Sequence, residues 1–185
     1  IMSSGSIKKI LHTMSIKLIT KYHSNGQKHY EGYYDETDPI GDQVSWYDNG
    51  NKEYESIELN EFSQICTYWH QNGNIKSKGL LTEYFESGLW TYWYENGNKR
   101  AEGIFVDKDE RSGKWQFWHD NGNLACSGVH KGWTGDGEWT FWDEAGIKIH
   151  EKTYRDSELL NVWKDLRLEG CSDDLVELFK DLIFN

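Results

Sequence analysis

Long uncharged apolar runs are missing from this 185-residue chain, cysteine and proline are scarce, and basic residues are outnumbered by acidic ones. The start, Ile1 to Ile19, lacks the apolar core of a signal peptide, because Ile7-Lys8-Lys9-Ile10-Leu11 is broken by charge. The reading is a cytoplasmic chain with no export and no membrane span, in which Met14 stands where a natural start would. Cys66, Cys126 and Cys171 are odd in number and widely spaced. That excludes a disulfide framework and a Cys-based metal site, and reads as thiols in a reducing compartment. With 20 Lys and Arg against 31 Asp and Glu the formal net charge is −11. Nucleic-acid phosphates and anionic bilayers are repelled at long range, whereas a basic protein is attracted. Hydrophobic residues make up 37%, lean for a closed core. Against the single proline stand ten Trp, eleven Tyr and seven Phe, side chains that bury large areas and suit pleated strands.

Self-similarity is the main signal. Tyr22 to Gly26, Trp46 to Gly50, Trp69 to Gly73, Trp93 to Gly97, Trp118 to Gly122 and Trp142 to Gly146 repeat one pattern, and successive glycines lie 24, 23, 24, 25 and 24 residues apart. Five of the six units end in Asn-Gly, the sixth in Ala145-Gly146. Asn-Gly between strand-forming residues predicts a two-residue type I′ hairpin with positive φ at both positions.

Cross-strand partners then have numbers with a constant sum. In the fourth unit this pairs Trp90 with Gly103, Tyr92 with Ala101 and Tyr94 with Lys99; in the fifth, Trp115 with Gly128 and Phe117 with Cys126; in the third, Tyr68 with Ser77. Apart from Tyr94, each ring meets a small residue. In the first two units Lys21 and Ser45 take the ring position, and their partners are Tyr30 and Tyr54. The opposite face carries a second column, Tyr22, Trp46, Trp69, Trp93, Trp118 and Trp142, expected to face His29, Glu53, Lys76, Arg100, Ala125 and Ile149. Long cationic stems lying across those indoles contribute about 0.5–1 kcal/mol each. Gly41, Gly88, Gly113 and Gly137 are expected to mark the turns between hairpins.

The expected fold is all-β: a single-layer, elongated antiparallel sheet of six stacked β-hairpins over residues 19–153. Residues 1–18 are an N-terminal extension, and residues 154–185 form two short helices that cap the sixth hairpin. Leu159, Val162, Trp163 and Leu166 recur at helical spacing, and Ser172 precedes a second stripe from Leu175 to Ile183.

The unit from Trp90 to Gly103, Trp-x-x-Trp-Tyr-Glu-Asn-Gly-Asn-Lys-Arg-Ala-Glu-Gly, resembles the bacterial variant of the MORN (membrane occupation and recognition nexus) repeat. The resemblance covers about Ile19 to Lys152. The sixth unit departs from it at Ala145 and Lys152, the second at Ser56. It implies a hairpin array without catalytic residues, used for binding or scaffolding. Many relatives are labelled antitoxins, and others are linked to phospholipid binding.

Sharper sites give way to simpler ones. His23, His70 and His119 recur in alternate units, but those units lie roughly 19 Å apart, too far to share a metal, so they read as surface positions alternating with Tyr47 and Tyr94. The run Asp107 to Gly113 begins like a Ca²⁺ loop, yet Arg111 stands at a ligand position and Ser112 replaces the turn glycine. Asp35, Glu36, Asp38 and Asp42 read as a solvated loop. No phosphate loop, nucleophile elbow or zinc signature occurs. The expectation is no enzyme, no cofactor, no metal and no nucleic-acid partner. A protein partner, in the most concrete version a basic toxin, would be bound through Trp46, Trp69, Trp93, Trp118 and Trp142, with peripheral lipid binding or a structural scaffold as alternatives.

Overall fold

A computed structural model describes residues 16–106, 108–131 and 137–154. They form one open, fully antiparallel sheet of twelve strands in chain order: β1 Ile16–Tyr22, β2 Lys28–Asp35, β3 Asp38–Trp46, β4 Lys52–Asn60, β5 Ser63–Trp69, β6 Ile75–Thr82, β7 Phe85–Trp93, β8 Lys99–Phe105, β9 Arg111–Trp118, β10 Leu124–Lys131, β11 Gly137–Trp142 and β12 Lys148–Tyr154. β1 starts at Ile16, inside the stretch read as an extension. The expected C-terminal helices lie outside the described residues.

The hairpin turns differ from expectation. In the fourth, the Tyr94 amide donates to the Asn98 carbonyl at 2.9 Å and the Gly97 amide to the Tyr94 carbonyl at 2.9 Å. The loop therefore holds three residues, and its only positive φ is at Gly97, +89°. This is a type I turn followed by a glycine bulge, whose handedness also suits a twisted hairpin. One residue of the returning strand is left over, and the register slips between Tyr92 and Trp93.

That slip divides the sequence-derived pairs into two groups. Beyond it they hold: Tyr92↔Ala101, Trp90↔Gly103, Phe117↔Cys126, Trp115↔Gly128, Tyr68↔Ser77, Lys21↔Tyr30 and Ser45↔Tyr54. Before it they fail. Tyr22, Trp46, Trp69, Trp93, Trp118 and Trp142 face Lys28, Lys52, Ile75, Lys99, Leu124 and Lys148, while His29, Glu53, Lys76, Arg100, Ala125 and Ile149 are the bulged residues.

The connections between hairpins are also reassigned. Gly41, Gly88, Gly113 and Gly137 lie within strands, all with positive φ, and not in turns. The chain reverses instead at pairs such as Glu83-Tyr84, where both residues have positive φ, 52° and 72°.

Cohesion between hairpins comes from indoles laid over glycine backbone. Although Trp90 pairs with Gly103 within its own hairpin, its ring covers Gly79 of the preceding one; likewise Trp115 covers Gly103 and Trp139 covers Gly128. Each burial removes on the order of 200 Å² from water, a gross gain of roughly 5 kcal/mol. Ser56 replaces glycine in the second unit because its partner across the next strand is Cys66 rather than Trp. This ring face is continued by Tyr54, Tyr68, Tyr92, Phe105, Phe117 and Phe141, which join the buried cluster or pack against it. The opposite, column face carries the Trp46 to Trp142 series.

Candidate functional site

Alternation along each strand carries two rows across the column face, one aromatic beside the Asn-Gly turns and one aliphatic at the other end. In β5 the sequence Ile65-Cys66-Thr67-Tyr68-Trp69 puts Ile65, Thr67 and Trp69 on one side; in β7 Leu89, Thr91 and Trp93 follow suit.

Trp46, Trp69, Trp93, Trp118 and Trp142 are all half-buried. The ammonium of Lys28 lies 5.5 Å from the Trp46 ring centroid, Lys52 5.3 Å from Trp69 and Lys99 5.4 Å from Trp118, so a lysine of each such hairpin covers the indole of the next. The same lysines bond the carboxylates of Glu31, Glu55 and Glu102 at 2.6, 2.5 and 2.7 Å. These pairs are open to solvent, which screens them, so they orient the lysines more than they stabilise the sheet. The hydrogen bond to Glu31 raises the pKa of Lys28, burial opposing it only in part, and the same bond lowers that of Glu31. Ile75 and Leu124 hold the lysine's register position in the third and fifth hairpins. A groove of about 440 Å³ lies against Trp93, bordered by His70, Glu95, Asn96, Arg100 and Asp120.

The column is fixed from behind by side chains that sequence reasoning had placed at the surface. The carbonyls of Trp46, Trp93 and Trp142 accept from Nε2 of His23, His70 and His119 at 2.7, 2.9 and 3.0 Å, and those of Trp69 and Trp118 from the hydroxyls of Tyr47 and Tyr94 at 2.7 and 2.8 Å. A carbonyl only accepts, so Nε2 carries the proton. His119 and Tyr94 are buried. The alternation of His with Tyr is thus a choice between two donors of similar reach.

The asparagines act alike. Nδ2 of Asn96 and of Asn98 both donate to the Asp120 carbonyl of the next turn, each at 2.7 Å, while Oδ1 of Asn96 accepts from the Asn98 amide at 2.9 Å. Asn72 and Asn74 treat the Glu95 carbonyl in the same way, and Asn121 and Asn123 that of Glu144. The Asn-Gly-Asn signature is therefore a stitch between hairpins as much as a turn. Its signal in the sequence was the second asparagine, which a two-residue turn does not need.

The aliphatic row was missed because its members are scattered through the sequence. Ile57↔Ile65, Ile65↔Leu80 and Leu89↔Ile104 are direct cross-strand partners, and Ile57, Leu89, Ile104 and Val129 are 40–58% exposed.

One buried polar cluster lies on the ring face. The Tyr92 hydroxyl donates to Glu86 Oε1 at 2.8 Å. Burial pushes the Glu86 carboxyl up to about 6, and burial lowers Arg111 to about 10 and His130 to about 3. The Arg111 guanidinium lies over Phe105 and Trp115 at 5.9 and 5.4 Å, and His130 packs edge-on against Trp115 and Trp139. The acidic stretches are partly structural too: the Glu86 amide donates to Asp109, and the Glu58 amide to Asp42 at 2.8 Å. Among the described residues no three His, Cys, Asp or Glu side chains converge as a metal site.

Comparison with known families gives one match. A profile described as MORN repeat variant matches residues 86–107 and 111–131, that is, the hairpins β7–β8 and β9–β10. It recognises two units against the six counted from the turn spacing. Those two have the full set of indole, second ring, small residue and glycine, whereas others substitute Cys66, Ser56 or Lys152. A comparison with curated proteins finds no match. The two matched hairpins are similar to MORN repeats, which are generally protein- or membrane-binding modules.

Proposed function

We propose that the chain is a non-catalytic, cytoplasmic protein-binding module that takes its partner on the column face, and within that class an antitoxin or immunity-type inhibitor of a basic protein. The observation that carries the reading is the exposed aliphatic row from Ile57 to Ile104, continued by Val129, beside the half-buried Trp69, Trp93 and Trp118. Contiguous apolar surface rimmed by polar groups is characteristic of interaction sites. The turn acids Asp48, Glu95, Asp120 and Glu144 and the net charge of −11 favour a basic rim on the partner and a fast encounter. The non-catalytic part of the reading is supported by Glu86, among the described residues the one carboxyl held above its ordinary value, whose Oε1 is taken up by the Tyr92 hydroxyl.

Affinity capture from the native host tests this with wild type, Leu89→Asp/Ile104→Asp, Trp93→Ala and the turn control Asp38→Ala. A basic protein retained by wild type and by the control, but at least tenfold weaker on the row variant, supports the reading. Equal retention by all four moves the interface off this face. Toxicity of that protein alone and its suppression on co-expression tests the inhibitor reading. A second reading, peripheral lipid binding, is favoured by the lysines aligned over Trp46, Trp69 and Trp118. Flotation with zwitterionic and with anionic vesicles separates it.

A further inference from the structure

Asn-Gly is a peptide step prone to break down unaided, because glycine has no side chain to keep its nitrogen away from the neighbouring amide. The glycine nitrogen gives up its proton and attacks Cγ of the asparagine. A new C–N bond forms there, and the side-chain nitrogen takes up a proton and leaves as ammonia. Water then opens the cyclic imide, at Cγ to give aspartate or at the main-chain carbonyl carbon to give isoaspartate. The sequence sets out five such steps, Asn25-Gly26, Asn49-Gly50, Asn72-Gly73, Asn96-Gly97 and Asn121-Gly122, every one of them exposed on a turn.

Both reacting groups are tied down by the turn. The amides of Gly26, Gly50, Gly73, Gly97 and Gly122 donate to the carbonyls of His23, Tyr47, His70, Tyr94 and His119 at 3.0, 3.0, 2.9, 2.9 and 2.9 Å, and an N–H engaged in this way is harder to deprotonate. Each asparagine is held at both ends of its amide. Oδ1 accepts from the backbone amide two residues on, and Nδ2 donates to a carbonyl of the next turn. Cγ reaches the glycine nitrogen only when those bonds break. The grip, however, is unequal. In the second to fifth turns Asn51, Asn74, Asn98 and Asn123 donate to the same carbonyl as the first asparagine, at 2.8, 2.7, 2.7 and 2.7 Å. Gln27 stands at that position in the first turn. Its side-chain oxygen lies against Gly50 instead, 2.8 Å from where a Cβ would stand. Among the described side chains the Asp48 carbonyl is left with Asn25 alone, at 2.6 Å.

We propose that Asn25 is a site of spontaneous modification, the first of the five Asn-Gly steps to convert to aspartate or isoaspartate, and that the paired asparagines of the later turns lock those turns chemically as well as joining them. Conversion changes the contact it starts from. A carboxylate at residue 25 has no N–H to offer the Asp48 carbonyl and sets a negative charge against its oxygen. Isoaspartate also adds a methylene to the main chain of a turn that has no slack. On the turn side the remaining link from the first hairpin to the second is then Nε2 of His23 on the Trp46 carbonyl. The first hairpin loosens, while the others keep their full set of bonds.

Ageing the full chain at mildly alkaline pH tests it, with peptide mapping for the amide-to-acid mass change and enzymatic methylation to detect isoaspartate. Asn25 should convert ahead of the other four by on the order of fivefold, the worth of one hydrogen bond expressed as a rate. In urea the five rates should converge, since the same glycine follows each asparagine. Gln27→Asn restores the second donor and should bring Asn25 down to the rate of the other turns. Asn98→Ala removes one and should raise Asn96 toward the rate of Asn25. Both substitutions fall on exposed turn positions, and far-UV circular dichroism checks that the sheet is kept. Equal rates at all five turns of the folded chain overturn the proposal, as does a different turn converting first. So does an unchanged Asn25 rate in Gln27→Asn, which would separate the modification from the missing donor.

Discussion

Adding one methyl group at Gly103 tests the stacking of hairpins directly. An alanine Cβ there would lie 2.0 Å from Cδ2 of Trp115, 2.1 Å from Cε2 and 2.6 Å from Cε3. Carbon atoms prefer about 3.5–4.0 Å, so the indole has to retreat by more than about 1 Å. It has no room to do so. Trp115 is buried, with Phe105 at 5.1 Å and Phe117 at 5.9 Å on its flanks. Overpacking a filled site costs about 1–3 kcal/mol, and this geometry belongs at the upper end. The second hairpin supplies the internal control, since Ser56, at the glycine position, faces Cys66, and Ser56→Ala should change stability by less than about 1 kcal/mol. The double variant Gly103→Ala/Trp115→Cys recreates that smaller pair and should be less destabilised than the two single variants summed, by about 1–3 kcal/mol. Urea titration followed by far-UV circular dichroism gives the totals, and hydrogen exchange locates the loss at β8 and β9, because a stacked array does not unfold as one unit. A midpoint for Gly103→Ala equal to wild type, or strict additivity in the double variant, would refute the reasoning.

The turns and the buried cluster give further tests. Replacing Asn96 and Asn98 together by alanine removes both donors to the Asp120 carbonyl and should cost about 1–3 kcal/mol, whereas Ala145→Asn should change the urea midpoint by less than measurement error. Replacing Glu83-Tyr84 by Asn-Gly relieves positive φ at both residues and should stabilise the sheet by about 1 kcal/mol in the same titration. The carboxyl of Glu86 is raised from 4.5 to about 6, so the unfolded chain releases its proton first and this group's contribution to stability falls as pH rises from about 4.5 to 6. Glu86→Gln should therefore gain on wild type across that window, by up to about 2 kcal/mol at pH 7. His130, depressed from 6.5 to about 3, works the other way: its contribution is complete above pH 6.5 and is lost as pH falls toward 3. A difference between wild type and Glu86→Gln that stays flat from pH 4.5 to 7 would remove the carboxyl from this account.

The strand order and the ring-face pairs were legible because Trp90, Gly103 and their equivalents repeat at fixed spacing, and a constant sum tests any register against the letters. The column-face pairs were not. A three-residue turn with one bulged residue and a two-residue turn without a bulge give the same sum beyond the slip, so Tyr92↔Ala101 could not tell them apart, while Trp93↔Lys99 depends on the difference. The histidines were misplaced for a related reason. His23, His70 and His119 stand beside turn residues, where sequence suggests solvent, and only the stacking of the next hairpin brings a Trp carbonyl within 3.0 Å. The Glu86, Tyr92, Arg111 and His130 cluster draws on three strands of two hairpins and has no local signature at all.

The donor ladder also gives the molecule a direction. Every turn from the first to the fifth hands hydrogen bonds forward, and the sixth has nothing to hand on: Ala145 and Ile147 replace the asparagines, and Asp143, where a His or Tyr would reach out, accepts from its own Ile147 amide at 2.8 Å. A further hairpin grafted after β12 would meet no outstretched side chains, and a second molecule approaching that edge would fare no better. Growth of the stack is thereby discouraged at one end by three turn residues, in addition to the two lysines, Lys148 and Lys152, that the strand itself carries.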